Sequence, residues 1–492
     1  MSRALLFSLL LILLSLVVQV SSIDDSYVQC ERVVNNWAES SAENVKTEDK
    51  LTLRDLLFFL HIPRTGGRTY FQCFLKKLYS FDQECARSYD KIRFNPSKPN
   101  CNIVATHDDY SLISKLPQDK TSVVTILRDP IERVFSTYEF AVEVASRFLV
   151  HTNLTSALET SNRVRRKSST MVSTLDIWPW KYLVPWMRED LFARREASKL
   201  GKLRRNVFSD AYNTEDVAMP LHEFINHPMA HELIHNGVTF QVAGLTNNSY
   251  LDDAHEVRHC VRKHPSLGQL VLDVAKGRLD QMLYVGFTED HKKSARMFAS
   301  MVGAQILARS KSTPDSQQES TEQNNVESSV QAVPEKLVEE TNHTASIEDE
   351  VSTANANPPK KILTEEQLME EYEECVENLR NAQMRRRYIS LKQISPVNFT
   401  SEARRLVPEP VLEEMRNLNS LDMQLYLHAQ SIFLQQQVLM DNLEKQNLQL
   451  AKQVSAEIEA PWNYVLLLLV LVPVFLFFII VMHRRRTSKL KI

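Results

Sequence analysis

The chain has no CxxC pair among its six cysteines, so the usual zinc-ligand spacing is missing and no structural metal is expected. It has no excess of charge of one sign: 58 Lys and Arg against 61 Asp and Glu leave a formal net charge of −3. Whole-molecule charge therefore argues neither for nor against a polyanionic partner, and attraction to one must come from local patches. The GxxxxGK[ST] spacing of a Walker A loop is absent. No internal repeat is evident.

What is present begins with two apolar runs. Arg3 precedes an apolar stretch from Leu5 to Val20, and Val20-Ser21-Ser22 supplies small residues for cleavage, the pattern of a secretory signal. Ile23-Asp24-Asp25 then turns polar at once. The second run, Val465 to Met482, carries no charge and is long enough to span a bilayer as a helix. Trp462 and Tyr464 stand at its start, where amphipathic rings prefer the interface. His483-Arg484-Arg485-Arg486 follows, and positive charge beside a span stays cytoplasmic. The expected arrangement is type I, with everything from about Ile23 to Pro461 luminal. The short span favours a thin early-secretory membrane. Four sequons, at Asn153, Asn247, Asn342 and Asn398, agree with that address. So does the even set Cys30, Cys73, Cys85, Cys101, Cys260 and Cys375, which permits disulfides of many connectivities.

Between Leu51 and about Val302 the pattern is that of an α/β domain. Residues 56–61, 102–106, 122–127 and 282–287 are short apolar runs that read as buried strands. Helical patterns follow at 131–149 and 290–301. Strands alternating with helices imply βαβ units and a mostly parallel sheet flanked by helices. From Ser310 to Lys360 the composition shifts to Ser, Thr, Gln, Asn, Glu and Pro, and such a segment cannot offset its ordering entropy, so disorder is expected. Helical signal returns over 364–387 and 408–452.

Two segments carry chemistry. Leu60-His61-Ile62-Pro63-Arg64-Thr65-Gly66-Gly67-Arg68-Thr69 follows a strand and opens a helix. Its glycine pair permits a tight turn that aims backbone N–H groups at an anion, with Arg64, Arg68, Thr65 and Thr69 as further donors. Leu127 to Tyr138 also follows a strand. Arg128 sits at the strand end, Pro130 starts the helix and Ser136 lies within it; an arginine plus a hydroxyl grips one phosphate. One element suits a 5′-phosphosulfate and the other a 3′-phosphate.

The spelling "HIPRTGGRT", then "ATHDDY", then "RDPIERVFSTY" resembles the sulfotransferase superfamily, in its heparan sulfate 6-O-sulfotransferase branch. With a signal peptide, a C-terminal span and a basic tail, the layout resembles the plant tyrosylprotein sulfotransferases. The similarity covers Leu51 to Val302 and resumes over Val407 to Gln436, with "LNSLDMQLYLHAQSIF". The resemblance implies a P-loop-like sulfotransferase fold and 3′-phosphoadenosine 5′-phosphosulfate (PAPS) as co-substrate, without metal. It implies donor contacts from Arg64, Thr65, Gly66, Gly67, Arg68, Thr69, Arg128 and Ser136, and sulfation of tyrosines in secreted proteins in the Golgi lumen. The segments are then a signal peptide (1–22), a luminal segment (23–50), the first part of the catalytic domain (51–309), a low-complexity insertion (310–360) and the domain's helical part (361–455). A juxtamembrane stretch (456–464), the span (465–482) and a cytoplasmic tail (483–492) complete the chain. The heparan enzymes usually carry lysine where this chain has Arg64, which puts the electrophilic role of that position in question.

His107 ends a strand, where open α/β sheets line their ligand crevice, and it matches the proposed catalytic histidine of the related branch. Asp108 and Asp109 are candidates to orient it. Two basic clusters, Arg163, Arg165, Arg166 and Lys167, and Arg194, Arg195, Lys199, Lys202, Arg204 and Arg205, are candidates for binding an acidic acceptor. Trp178-Pro179-Trp180-Lys181-Tyr182 either walls the acceptor cleft or belongs to the core. Three function classes stay open: a protein-tyrosine sulfotransferase acting on tyrosine in acidic context, a carbohydrate sulfotransferase of the heparan 6-O type, and a non-catalytic luminal receptor on the same fold. No nucleic-acid partner is expected.

Overall fold

The structure, a computed structural model, describes residues 25–41, 50–80, 83–85, 101–151, 155, 174–200, 212, 216–312, 364–395, 397 and 399–488. The signal peptide, the sequons at Asn153, Asn342 and Asn398, the cluster Arg163–Lys167, and Lys202, Arg204 and Arg205 lie outside these residues. So does the expected insertion from 313 onward; its first residues complete a helix, Ala304–Ser312. Residues to Phe433 form one compact unit and Leu434–Ile492 a second.

Four strands form one sheet: β1 (Leu56–Leu60), β2 (Ile103–Thr106), β3 (Thr121–Leu127) and β4 (Tyr284–Phe287). The order is β2-β1-β3-β4 and every pairing is parallel, with Phe58 beside Val104 on one side and Val123 on the other. β1 and β3 are buried along their whole length, which is why they read as continuous apolar runs rather than alternations. In this order the chain runs outward from β1 to β2 and then crosses to β3. The direction reverses between β1 and β3, and in open α/β sheets ligands sit at the carboxyl ends of the strands at such a switch point. The Arg64 turn and Arg128 leave the sheet there.

Helices cover the sheet. The segment 25–41 is α1, and α2 (Gly67–Tyr70) opens directly after the glycine pair and runs into a π-turn, Phe71–Leu75. The long α3 (Pro130–Arg147) starts where Asp129 accepts from the N–H groups of Ile131 and Glu132 and Pro130 takes the first turn. Beyond it come α4 (Trp180–Lys199), α5 (Gly237–Val242), α6 (Ala254–Lys263) and α7 (Gly268–Asp280). Trp178 and Trp180 are buried in the apolar cluster shared by α3 and α4, while Tyr182 is exposed, so the tryptophans of the aromatic stretch are core.

The chain after the insertion is built into the same unit. α8 (Glu365–Leu391) begins with a capping box between Thr364 and Gln367. The expected helix over 408–452 is two helices, α10 (Glu409–Leu418) and α11 (Ser420–Ser488), preceded by α9 (Ser401–Arg405). Disulfides join Cys30 to Cys260, Cys73 to Cys375 and Cys85 to Cys101. The second ties α8 to the π-turn behind the glycine pair. Such bonds belong to an oxidising compartment. Residues Leu467–Arg484 of α11 are long and apolar enough to cross a membrane.

Asp422 is a further tie, made without a covalent bond. Its carboxylate, fully buried, pairs with Arg133 of α3 at 3.2 Å and accepts from the N–H groups of Val238 and Thr239 at the start of α5. Burial pushes the Arg133 pKa down and the carboxylate opposes it. Asp422→Ala leaves a buried guanidinium and two N–H groups without their partner. It should destabilise the protein by about 3–5 kcal/mol. Urea unfolding of the full chain in detergent checks this, and a loss under about 1 kcal/mol would contradict it.

Candidate active site

The site grows from the turn that ends β1. Arg64 (φ 68°) and Gly66 (φ 81°) both adopt left-handed backbone, unusual for arginine and natural for glycine. Alternating handedness over a few residues curls successive N–H groups into an anion-binding nest, here at a helix start. Gly67 is needed for a different reason: a Cβ there would fall 2.3 Å from Cδ2 of His61.

The side chains of this turn reach in three directions. Thr65 is fully buried, its hydroxyl donates to the Ile62 carbonyl at 2.9 Å, and its carbonyl accepts from Thr288 past the end of β4. Its side chain is therefore a brace, and only its backbone faces the nest. Arg64 lies across the segment that follows β3: Nε donates to Ser136 Oγ at 3.0 Å and the guanidinium rests on the ring of Phe140 at 4.2 Å. Burial pushes the Arg64 pKa down to about 10, which leaves it charged. His61, the first residue after β1, stacks on His107 with ring centroids 4.1 Å apart.

Arg128 sits beside this turn with weak protein contacts. Nη1 reaches the Arg64 carbonyl at 3.5 Å and Nη2 reaches Glu132 at 3.3 Å, while Nε is buried without a partner. Its pKa is lowered by burial and by Arg404 alongside, against the pull of Glu132. A guanidinium with an orphaned donor next to a second cation is a place where an anion fits. Ser136 accepts from Arg64 and keeps its own proton to give.

Arg387 and Arg404 had no motif to reveal them. Arg404 bonds Glu139 through Nε and Nη2 at 2.7 and 2.8 Å and also Glu132; Arg387 joins Glu139 at 3.1 Å, and Tyr212 donates to the same carboxylate. Burial alone would raise the Glu139 pKa, and these donors hold it below its ordinary value. Their partners become visible only once the chain on the far side of the insertion is folded back onto α3.

His107 is buried, and its Nδ1 lies 2.8 Å from the His61 carbonyl. A carbonyl only accepts, so Nδ1 carries the proton and Nε2 keeps its lone pair. Burial pushes the pKa down to about 4; the carbonyl bond opposes this and Arg64 adds to it. The Asp109 carboxylate is engaged by Ser111 and Thr246, accepting from the backbone and hydroxyl of each, and Asp108 bonds Thr106 and Asn248. Gln241 of α5 donates to the carbonyls of both His107 and Asp108. These bonds fix the backbone of the loop that carries His107.

The remaining candidates stand apart from this centre. Arg194 is paired with Asp190 and Glu223, and Lys199 with Glu196, so those charges are met on the α4 surface. The exposed Asn247 donates its amide to Glu232 and accepts from Arg258. No group of His, Cys, Asp and Glu able to hold a metal ion occurs among the described residues.

No protein-family model matches the chain. Over 499 aligned residues, covering 98% of each chain, it is 49% identical to the protein-tyrosine sulfotransferase of Arabidopsis thaliana.

Proposed function

The chain belongs to the protein-tyrosine sulfotransferase family and is a tyrosine-sulfating transferase, and from that premise we propose that PAPS is its donor and that His107, Arg64, Arg128 and Ser136 carry the reaction. PAPS supplies an activated sulfuryl group and two anionic ends. The backbone of Thr65, Gly66 and Gly67, with Arg68 and Thr69, holds the 5′ end. Arg128 and Ser136 hold the 3′-phosphate, and the orphaned Nε of Arg128 is the observation that carries this assignment. Arg64, lying between the two motifs, offsets charge that develops as the sulfuryl–oxygen bond to the donor breaks.

His107 takes the phenolic proton through Nε2 while the tyrosine oxygen bonds sulfur. A phenol has a pKa near 10, which makes it an easier hydroxyl to deprotonate than an alcohol, and the proton leaves as the oxygen–sulfur bond forms. The acceptor is a tyrosine in acidic sequence, drawn to the cationic groups of Arg64, Arg68 and Arg128. The enzyme works in the Golgi lumen as a type I protein. Three disulfides and the position of the apolar helix before His483 and Arg484 support that address.

Incubating the full-length chain with labelled PAPS, an acidic tyrosine peptide and desulfated heparan tests the acceptor; label on heparan alone would overturn it. His107→Ala should keep donor affinity and lose about a hundred- to ten-thousand-fold in turnover. Arg128→Ala should weaken binding of the desulfated donor product by about 1.5–3 kcal/mol in calorimetry.

The pH profile follows from the lowered His107 pKa. The neutral, basic form exists above the folded pKa, so kcat/KM should stay level through mildly acidic pH. It should fall only as pH drops towards about 4. A limb near 6.5, the ordinary histidine value, would contradict this.

Protease added to intact vesicles should remove a tag after Ile492 and spare one placed just after the signal peptide. Protection of both tags would sink the type I arrangement.

A further inference from the structure

His107 is flanked by a second imidazole that the chemistry above leaves unused. His61 stacks on it with centroids 4.1 Å apart and planes 29° from parallel, and Phe59, two residues back on β1, stacks on His61 at 5.6 Å. The backbone of His61 accepts the His107 Nδ1 proton. Gly67 lies so close to the His61 ring that no side chain fits between them. One residue thus touches the base through both its backbone and its ring, and is itself wedged between the strand and the donor turn.

We propose that His61 is a positioning residue for tyrosine sulfation: its carbonyl selects the His107 tautomer, and its ring holds the plane of His107 and keeps water from that face. The proposal rests on the reading of His107 as the base. Charged groups facing the pair are Arg64 in the turn and Arg68 in α2; Asp108, next to His107 in the chain, has its carboxylate bonded by Thr106 and Asn248. From α5 comes the uncharged amide of Gln241. These groups remain when the His61 ring is cut back, and so does the His61 carbonyl. A ring-deleting substitution therefore isolates stacking and water exclusion from tautomer selection.

The test uses the full chain in detergent, with His61→Ala, His61→Phe and His107→Ala, measuring kcat, KM, the pH profile of kcat/KM and binding of the desulfated donor product. In His61→Ala, kcat should fall about tenfold, since small misplacements of a reacting group are costly. Donor affinity should stay within about twofold of the parent. The acid limb should move up from its low value towards the ordinary histidine range, because water now reaches His107. His61→Phe restores a stacked ring without a titrating group and should restore both the low limb and most of kcat.

The inference is overturned by a His61→Ala enzyme with unaltered kcat and limb, or by one losing donor affinity as steeply as turnover. It is also overturned by a His61→Phe enzyme that melts normally yet stays as impaired as His61→Ala, which would make the imidazole nitrogen itself the requirement. An active His107→Ala enzyme would overturn the base reading and this one with it. An inactive His107→Ala beside an unaltered His61→Ala overturns this one alone.

Discussion

The turn from His61 to Gly66 is the constraint on which the rest of the site depends. β1 is central, with β2 on one side and β3 then β4 on the other. To open a helix at Gly67 the chain must reverse within a few residues, and it does so with left-handed backbone at Arg64 and Gly66. That geometry sends successive residues to different neighbours. His61 turns to the β2 end and meets His107. Arg64 turns to the β3 side and meets Ser136. Thr65 turns inward and accepts from Thr288 beyond β4. Left-handed backbone at a non-glycine residue is held only where surroundings over-determine it, and here each neighbouring strand end contributes a contact.

A second feature is electrostatic and belongs to α3. Glu132, Ser136, Glu139 and Glu143 recur at helical spacing along one face. Arg64, Arg128, Arg387 and Arg404 approach that face from three parts of the chain. The carboxylates hold the guanidiniums together, since four such cations would otherwise repel. Arg387 and Arg404 arrive from beyond residue 363, so the segment after the low-complexity stretch helps to shape the face that carries Ser136. The disulfide from Cys73 to Cys375 and the Asp422 carboxylate fasten that segment at two further points.

Much of this was legible in the sequence, for identifiable reasons. All four strands stand within two residues of where apolar runs placed them, because a parallel sheet buried on both faces leaves an unbroken apolar signature. His107 and Arg128 stand directly after β2 and β3, where the apolar runs placed the strand ends. The direction of long side chains was not legible. Nothing local says that Arg194 pairs with Asp190 and Glu223, or that Thr65 points inward. Nor does it say that Asp109 braces a loop through Ser111 and Thr246. Disulfide pairing was equally hidden, since Cys73 and Cys375 are 302 residues apart. Helix 408–452 is broken at Asn419, where the backbone leaves helical geometry and Asn236 bonds both the Leu418 carbonyl and the Leu421 N–H, a tertiary arrangement with no periodic signal.

The arginine at position 64 also gains an explanation. A lysine there would offer one compact charge on a flexible stem. Arginine does two things at once: its Nε bonds Ser136 while its flat guanidinium lies on Phe140, and Phe140 in turn meets Trp180 edge-on at 4.6 Å. A planar cation on an aromatic face keeps its charge and loses little freedom there, and cation–π contact adds about 0.5–2 kcal/mol. The tryptophan-rich stretch is thus core at Trp178 and Trp180, and through Phe140 it also supports a charged group of the site. Arginine at this position is therefore matched by the aromatic side chains beneath it. A lysine would leave the Phe140 face without its planar partner and Ser136 without its Nε donor.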